Sequence, residues 1–192
     1  MSRSNIVIVP GWNGSGPDHW QTIWERDHPE YVRVAHLDWR SVHRPDWVRA
    51  LDRTVLSLCG DVVLVAHSLG CLAVAWWASS RADSARRVQG AMLVAPPDLG
   101  SASGALVALA SFTPVPLVRL PFPSLLVASE NDPYSSIEAG ASLARQWASE
   151  FVNVGLAGHI NADSGHGPWL DGERHFERFR DEVCSVPLEI EA

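Results

Sequence analysis

The residues best placed to do chemistry surround Ser68, where the pattern of the sequence changes abruptly. The continuous apolar run at 61–66 (DVVLVA) predicts a buried strand, and the apolar stretch CLAVAWWASS beyond the serine predicts a helix. A serine in so sharp a turn projects its hydroxyl beyond the edge of the sheet, on a strained backbone. The turn requires small residues two positions before and after the serine, and these are Ala66 and Gly70. The stretch differs from the G-x-S-x-G pattern by one methyl group and predicts Ser68 as a nucleophile.

Two backbone amides are expected to stabilise the negative oxygen that forms when a serine attacks a carbonyl group. The N–H of Leu69 lies at the start of the predicted helix, where amides have no partner within the helix and attract anions. A second donor is expected from the glycine-rich loop after the first strand (GWNGSGP). We assign it to the backbone N–H of Trp12, with Asn13 as the reserve. Each such oxyanion-hole donor lowers the barrier to acyl transfer by about 3 kcal/mol.

A histidine that serves as the base should follow the last strand of the sheet. His159 comes a few residues after the predicted strand FVNVG, whereas His166 lies further along, near the last helix. We therefore predict His159 as the base and His166 as a loop histidine that bonds to nearby backbone. His67 is expected to face away from Ser68 and to pack in the core. The other histidines are expected at the surface or on helices, although His19 is close to the glycine-rich loop.

The acid is expected after a late strand, between the serine and the histidine in chain order. Asp132 lies three residues past the predicted strand SLLVAS, in the turn sequence NDPY. Glu130 and Asp98 are the alternatives, and Asp98 follows a strand one earlier than expected. Because the carboxyl ends of parallel strands meet at one edge of a sheet, Ser68, Asp132 and His159 should come together there. Such a triad predicts two-step acyl transfer, in which an acyl-enzyme forms and water then releases the acid.

The rest of the chain predicts a parallel sheet and the helices that cover it. Short β-branched runs alternate with longer helical patterns, which is typical of a parallel sheet with helices on both faces. Six strands are predicted at about 5–10, 32–37, 61–66, 88–95, 124–129 and 151–155, and helices at about 18–27, 45–58, 71–80, 136–149 and 173–184. A further short helix is expected at about 103–110. The whole chain, 1–192, is expected to form one domain, with 97–122 as a small lid or an excursion.

The composition narrows the function further. The chain of 192 residues is 46% hydrophobic, which is enough for one core, and has a formal net charge of −7. Its 15 basic residues are all arginine and form no stripe, which argues against nucleic-acid binding. The three cysteines follow no disulfide or zinc spacing, and no signal peptide or membrane segment is predicted. We expect a cytoplasmic protein without a metal or cofactor, whose partners are a small acyl substrate and water.

Four segments resemble one known group of proteins: VIVPGWNGSGPDHWQ at the start, VAHSLGC at the sharp turn, LPFPSLLVASENDPY around the acid and GHINADSGHGPW around the base. In these segments the chain resembles the small serine hydrolases related to retinoblastoma-binding protein 9, and the match spans nearly the whole chain. The resemblance implies a minimal α/β-hydrolase fold, a three-layer α/β/α sandwich without a large lid. It implies activity on small esters and related acyl compounds, with the triad at Ser68, Asp132 and His159. A protein partner of unknown kind is left open.

The substrate pocket is expected to lie among the loops at the carboxyl edge of the sheet. We nominate Asn13 and Trp169 for it, together with Trp12, because their loops should lie at that edge. The sequence does not separate esters from amides or thioesters as substrates. A third function also stays open: a ligand- or protein-binding module on a hydrolase scaffold, in which the triad is not used for turnover.

Overall fold

A six-stranded parallel sheet forms the centre of the protein in a computed structural model that describes residues 4–35, 38–100 and 109–185. The strands are β1 (Asn5–Val9), β2 (Val32–Arg33), β3 (Val62–His67), β4 (Val88–Val94), β5 (Ser124–Ala128) and β6 (Glu150–Asn153). They lie in the order β2-β1-β3-β4-β5-β6, and every neighbouring pair is parallel. The predicted α/β architecture with six parallel strands is confirmed. Only β2 is much shorter than predicted, and residues 36–37 of its predicted span lie outside the described residues.

Helices connect the strands. They are α1 (Trp20–Asp27), α2 (Arg44–Ser57), α3 (Leu69–Ser80), α4 (Ala82–Ala85), α5 (Ile137–Trp147) and α6 (Leu170–Ser185). Their starts follow from local sequence: a proline lies in the first turn of α2, and the Ser136 hydroxyl accepts a hydrogen bond from the third amide of α5. The short helix α4 is not predicted, because four residues are too few to show a helical period. The last helix begins at Leu170, earlier than the predicted start at 173.

Both faces of the sheet are buried, because successive side chains of a strand point to opposite faces. On β3, Val62, Leu64 and Ala66 pack on one face while Val63 and Val65 pack on the other, and all five are 0% exposed. Helices α2, α3 and α5 cover the first face. Helices α1 and α6 cover the second with large aromatic side chains: Trp20, Trp24, Phe176 and Phe179. The unbroken apolar run of β3 therefore reflects burial on both of its sides.

The order of the strands reverses at β1. Because β2 lies on one side of β1 and β3 on the other, the connections run in opposite directions from this strand. In parallel α/β sheets, a crevice opens at such a point, outside the carboxyl ends of the two strands. Here it lies between the glycine-rich loop after β1 and the sharp turn between β3 and α3. The fold thus places the predicted nucleophile and the predicted oxyanion loop on facing sides of one crevice.

The segment 97–122 is described in part. The helix predicted at about 103–110 falls mainly on residues 101–108, which lie outside the described residues. In the remainder, a short 3-10 helix spans Ala110–Phe112. Five apolar side chains of this remainder are buried in the core of the first face: Leu99, Leu109, Phe112, Leu120 and Phe122. Much of the described part of this segment is therefore anchored in the core.

Candidate active site

Ser68 lies in a strained turn between β3 and α3. Its dihedral angles are φ 53° and ψ −126°, in a region that residues with side chains rarely adopt. Its amide donates to the carbonyl oxygen of Val94 on β4 over 2.8 Å. A Cβ atom built on Gly70 would lie 2.5 Å from the carbonyl oxygen of Val9 and 2.6 Å from that of Pro10. The turn can therefore approach the end of β1 only with glycine two residues after Ser68.

The three predicted triad side chains lie in one hydrogen-bonded chain. The Ser68 hydroxyl oxygen is 2.9 Å from His159 Nε2. On the other side of the imidazole, Nδ1 is 3.0 Å and 2.9 Å from the two carboxylate oxygens of Asp132. The side chains of His159 and Asp132 are only 9% and 2% exposed. Donation from Nδ1–H to the carboxylate leaves Nε2 as the acceptor for the Ser68 hydroxyl, which is the arrangement that a base requires.

A turn after β5 holds Asp132. The backbone N–H of Tyr134 donates to Asp132 Oδ1 over 2.9 Å, so the aspartate forms the turn and faces the imidazole at the same time. The Tyr134 ring lies edge-on to His159, with ring centroids 4.6 Å apart. The carboxylate is thus fixed by the backbone of its own loop.

The two alternative acids line the same cavity but form their hydrogen bonds elsewhere. Glu130 accepts a hydrogen bond from the Asn153 side chain over 2.9 Å. Asp98 accepts one from the backbone amide two residues further on, also over 2.9 Å. In the described part of the chain, the carboxylate against His159 Nδ1 is that of Asp132.

The loop that carries His159, residues 155–168, is here called the base loop. Several hydrogen bonds tie it to distant elements, among them Gly158 N–H to Asn131 Oδ1 (2.7 Å), His67 Nε2–H to the His159 carbonyl (2.9 Å) and the Trp20 indole N–H to the Ile160 carbonyl (2.9 Å). The partners belong to the loop after β5, the end of β3 and helix α1. His166, the alternative base, lies in the same loop, but its Nδ1 is 3.3 Å from the Ser164 hydroxyl. The structure therefore brings His159, and not His166, against Ser68.

The backbone around Ser68 offers two oxyanion donors. Leu69 is the first residue of α3, a position whose amide has no partner within the helix. Gly11 lies against the nucleophile, since a Cβ atom built on it would be 2.9 Å from Ser68 Cβ, and Trp12 follows it directly. The Asn13 amide donates to a backbone carbonyl of the segment before α2 over 3.0 Å. Asn13 is therefore wrong as the reserve donor, and Leu69 and Trp12 remain the candidates.

A cavity of about 810 Å³ opens at the triad, and Asn13 lies in its wall as predicted. Its apolar lining includes Trp12, Pro97, Leu99, Leu109 and Pro133. Its acidic lining, besides the triad aspartate, consists of Asp18, Asp98, Glu130 and Asp163. None of the arginines that the structure describes lies in the wall. The cavity is thus partly apolar and strongly negative.

Several lining residues were not predicted, and some of them could have been. Leu99 follows β4 and Tyr134 follows β5, so the carboxyl-edge rule applied to every strand would have found both. Leu109 belongs to the segment 97–122, where the sequence carries no signal for it.

The structure corrects the pocket role predicted for Trp169. Its ring is stacked on that of Trp24, with centroids 6.2 Å apart, and tilted against that of Trp20 at 5.0 Å. The residue is 9% exposed and lies outside the lining of the cavity. The ring packs directly on Gly172, where an added Cβ atom would lie 2.1 Å from the indole. The missing side chain at Gly172 admits the indole into the aromatic core of the second face.

Two buried histidines lie behind His159. His67 is 5% exposed, which confirms its predicted core position. His19, expected at the surface or on a helix, is the N-cap residue of α1 and is only 7% exposed. The His67 ring lies 4.7 Å from that of His19 and 4.9 Å from that of His159. Burial lowers the pKa of His19 to about 4, with smaller contributions from Arg33 and His159. Burial also lowers the pKa of His67 well below its usual value, helped by its two histidine neighbours.

The other reactive side chains that the structure describes do not form a second centre. Cys59, Cys71 and Cys184 are free, and burial raises the pKa of the Cys71 thiol far above its usual value, so this thiol stays protonated. The described residues contain no group of three or more His, Cys, Asp or Glu side chains that could hold a metal ion. Within the same ranges, no helix combines the length and apolar character needed to cross a bilayer.

The parallel sheet, the strained serine after β3 and the helices on both faces define an α/β-hydrolase fold. The sequence matches the serine hydrolase family model over residues 6–178, and the chain belongs to this family. No curated protein matches the sequence.

Solved structures share this fold. A YdeN-like hydrolase of Pectobacterium atrosepticum is 34% identical, with 94% of this chain and 92% of that chain covered and a TM-score of 0.83. The ydeN gene product of Bacillus subtilis is 19% identical, with 93% and 100% covered and a TM-score of 0.75. Est1E of Butyrivibrio proteoclasticus, solved with bound ferulic acid, is 16% identical, with 96% and 90% covered and a TM-score of 0.69. The last two show similarity of fold alone.

Proposed function

We propose that this serine hydrolase cleaves small carboxylic esters through an acyl-enzyme intermediate, with Ser68 as nucleophile, His159 as base and Asp132 as the acid behind it. The observation that carries the proposal is the hydrogen-bonded chain from the Ser68 hydroxyl through the imidazole to the carboxylate, with distances of 2.9 Å at both ends of the ring. A binding module does not need a strained serine in line with a buried His–Asp pair, since both features destabilise the fold.

In the proposed mechanism, His159 Nε2 takes the hydroxyl proton while Ser68 Oγ attacks the ester carbonyl carbon. The negative oxygen that develops is stabilised by the amides of Leu69 and Trp12. As the intermediate collapses, His159 gives the proton to the leaving alcohol, and the acyl group stays on Ser68. Water then repeats the sequence, with His159 as its base, and releases the carboxylic acid. Asp132 holds the imidazole in the required tautomer and stabilises its charged form.

The charge of the cavity favours uncharged substrates. Carboxylates repel an anionic substrate, and because Asp18, Glu130 and Asp163 are exposed, this repulsion is sensitive to salt. The acidic side chains of the lining and the lack of an arginine among its described residues therefore disfavour carboxylate-bearing esters. They equally disfavour thioesters whose carrier bears phosphate groups. We therefore place neutral esters ahead of such thioesters as substrates.

Labelling with a fluorophosphonate probe tests the nucleophile. The wild-type protein is expected to react at one site, whereas Ser68→Ala, which keeps the fold, is expected to stay unlabelled and to lose ester turnover. A folded wild-type protein that takes up no label would remove the catalytic proposal and would favour a binding module instead.

The substrate class is tested with a matched pair of esters of one alcohol, the neutral butyrate and the negatively charged succinate half-ester. We expect kcat/KM to be at least about 10-fold higher for the butyrate, and the ratio to shrink in high salt because salt screens the carboxylates. Equal rates for both esters would contradict the assigned role of the acidic lining. A parallel assay with the butyryl amide and thioester of the same size separates esterase from amidase and thioesterase activity.

Three finer assignments belong to the same proposal. We place the chain in the subgroup of small hydrolases related to retinoblastoma-binding protein 9, on the four segments that resemble it. We propose a one-domain enzyme whose partners are an acyl substrate and water. Its three free cysteines favour a reducing compartment, and we assign the protein to the cytoplasm.

A further inference from the structure

Gln21, the second residue of α1, is a fully buried polar side chain that the proposed mechanism leaves without a role. Its Nε2 amide donates to the carbonyl oxygen of Val9 over 3.3 Å and to that of Val65 over 3.1 Å. Its Oε1 accepts a hydrogen bond from the Ser15 hydroxyl over 2.5 Å. One side chain thus bonds to β1, to β3 and to the glycine-rich loop that follows β1.

These contacts lie at the end of the pairing between β1 and β3. The last paired residues are Val9 and Ala66, and beyond them the two strands lead to Gly11 and to Ser68. The strands separate here to form the crevice. Gln21 joins them at this point, on the side of the crevice from which helix α1 approaches.

The orientation of the amide is determined by its partners. A reversed amide would place Oε1 against the carbonyl oxygens of Val9 and Val65, and two acceptors cannot bond to each other. In the observed orientation both N–H groups and the oxygen of Gln21 are satisfied. A fully satisfied buried network of this kind is rigid and specifies one arrangement of the groups it joins.

We propose that Gln21 is a positioning residue for the oxyanion site. By joining the ends of β1 and β3, it sets the separation between the Trp12 amide on one side of the crevice and the Leu69 amide on the other. The inference rests on the proposed function, because it gives these two amides their catalytic role. Hydrogen bonds to a developing oxyanion depend on donor positions within a few tenths of an ångström, so a small change in separation lowers the rate.

The test uses two variants at this position and one matched control. Gln21→Met keeps the length of the side chain but removes both donors and the acceptor, and Gln21→Glu keeps its shape while removing the N–H donors. The control, Gln89→Met, alters a glutamine near the start of β4, at the amino ends of the strands and away from the crevice. There Gln89 Nε2 donates to Asp61 over 3.1 Å. Each protein is assayed with an ester and with its thionoester, whose sulfur accepts hydrogen bonds poorly and therefore gains less from oxyanion donors.

For Gln21→Met we expect kcat on the ester to fall about 10- to 100-fold while KM changes less than about 2-fold. The thionoester should lose much less, so the ester-to-thionoester rate ratio should fall about 10-fold. The activity of Gln21→Glu relative to the wild type at the same pH should rise as the pH is lowered, because a protonated carboxyl can again donate one hydrogen bond. Gln89→Met should leave the ratio unchanged. A folded Gln21→Met protein with an unchanged ester-to-thionoester ratio, whether or not both rates fall, would overturn the inference.

If circular dichroism shows that Gln21→Met does not fold, the variant Ser15→Ala tests the positioning role of Gln21 instead. This change removes only the hydroxyl that bonds to Gln21 Oε1, and we expect a smaller loss of about 3-fold on the ester with the ratio moving in the same direction. An unchanged ratio in Ser15→Ala would then reject the role of Gln21. Labelling keeps the two proposals apart: a wild-type protein that reacts with fluorophosphonate but whose variants keep the ratio loses only this inference, whereas an unlabelled wild type loses both.

Discussion

The turn around Ser68 and the base loop meet at the same hydrogen bond, yet they are shaped by different forces. The turn is determined mainly by its own neighbours in the chain, a buried strand and a helix start, with one distant contact, that of Gly70 with the end of β1. The base loop has little regular structure of its own, apart from a short 3-10 helix, Ala162–Ser164. Among the residues that hold it are Asn131, His67 and Trp20, which are 27, 92 and 140 residues away from their partners in the chain.

The two regions thus hold their catalytic side chains in position by different means. Steric contact constrains the nucleophile, because any side chain at position 70 would collide with the backbone at the end of β1. Hydrogen bonds from distant elements fix the base, and the removal of any one of them creates no steric collision in the loop. Changes in the turn should therefore disturb folding, whereas changes in the base loop and its carboxylate partner should disturb activity.

The largest effect is expected from the base itself. His159→Ala should lower ester turnover on the order of 10⁴-fold or more, because the hydroxyl then has no proton acceptor. His166→Ala, in the same loop, should keep turnover within about 3-fold, since its ring bonds to Ser164 and not to Ser68. Steady-state assays with a p-nitrophenyl ester measure both. The reverse pattern would assign the base to His166.

A smaller effect is expected from the carboxylate. Asp132→Asn should lower kcat about 10³- to 10⁴-fold, because the amide can hold the imidazole in the wrong tautomer and cannot stabilise its charged form. Thermal unfolding should change little. The control is Glu130→Gln, which alters the exposed carboxylate two residues earlier and should keep near-normal kcat. Should Asp132→Asn retain activity while Glu130→Gln loses it, the acid has been assigned to the wrong residue.

The turn is expected to respond in stability. Gly70→Ala places a methyl group 2.5 Å from the Val9 carbonyl oxygen, so the turn must shift. We expect the free energy of unfolding to fall by about 2 to 4 kcal/mol, measured by urea denaturation. Gly16→Ala is the matched control, because nothing lies within 4 Å of an added Cβ atom there. Equal stability of both variants would show that steric exclusion does not fix the turn.

The smallest effect is expected from His19, one of the two buried histidines that lie behind His159. Burial lowers the pKa of His19 from its usual 6.5 to about 4, so the folded protein binds fewer protons than the unfolded chain between these values. The free energy of unfolding is therefore highest above about pH 6.5 and decreases as the pH falls towards 4. The lowered pKa of His19 alone should decrease it by about 2 kcal/mol between pH 7 and pH 5.

Urea midpoints of the wild type and of His19→Asn at the two pH values test this linkage. Asparagine is also a good N-cap, so the variant keeps the cap that His19 Nδ1 provides to the Gln21 amide over 3.2 Å. The wild type should lose more stability on acidification than the variant. An equal loss in both would mean that His19 is not neutral in the folded protein.

The contrast also explains what could be predicted from the sequence. The turn at Ser68 is local, so a short apolar run, two small residues and a helical pattern were enough to find it. His159 and Asp132 followed from a rule about strand ends, which says at which edge a loop lies. That rule does not say where a side chain points: Trp169 turns inward onto Gly172, and His19 is buried once α1 packs on the sheet. Ring direction depends on packing partners far away in the chain, and no local pattern contains it.

The separation of 91 residues between the nucleophile and its base has a consequence for synthesis. The turn at Ser68 can be completed once β1, β3, β4 and α3 are present, whereas the imidazole arrives only after β6 has joined the edge of the sheet. A nascent chain would therefore carry an inert hydroxyl until the base loop after β6 had emerged. Reactivity would then be switched on by the final stage of folding, when the sheet is already able to exclude water from the site.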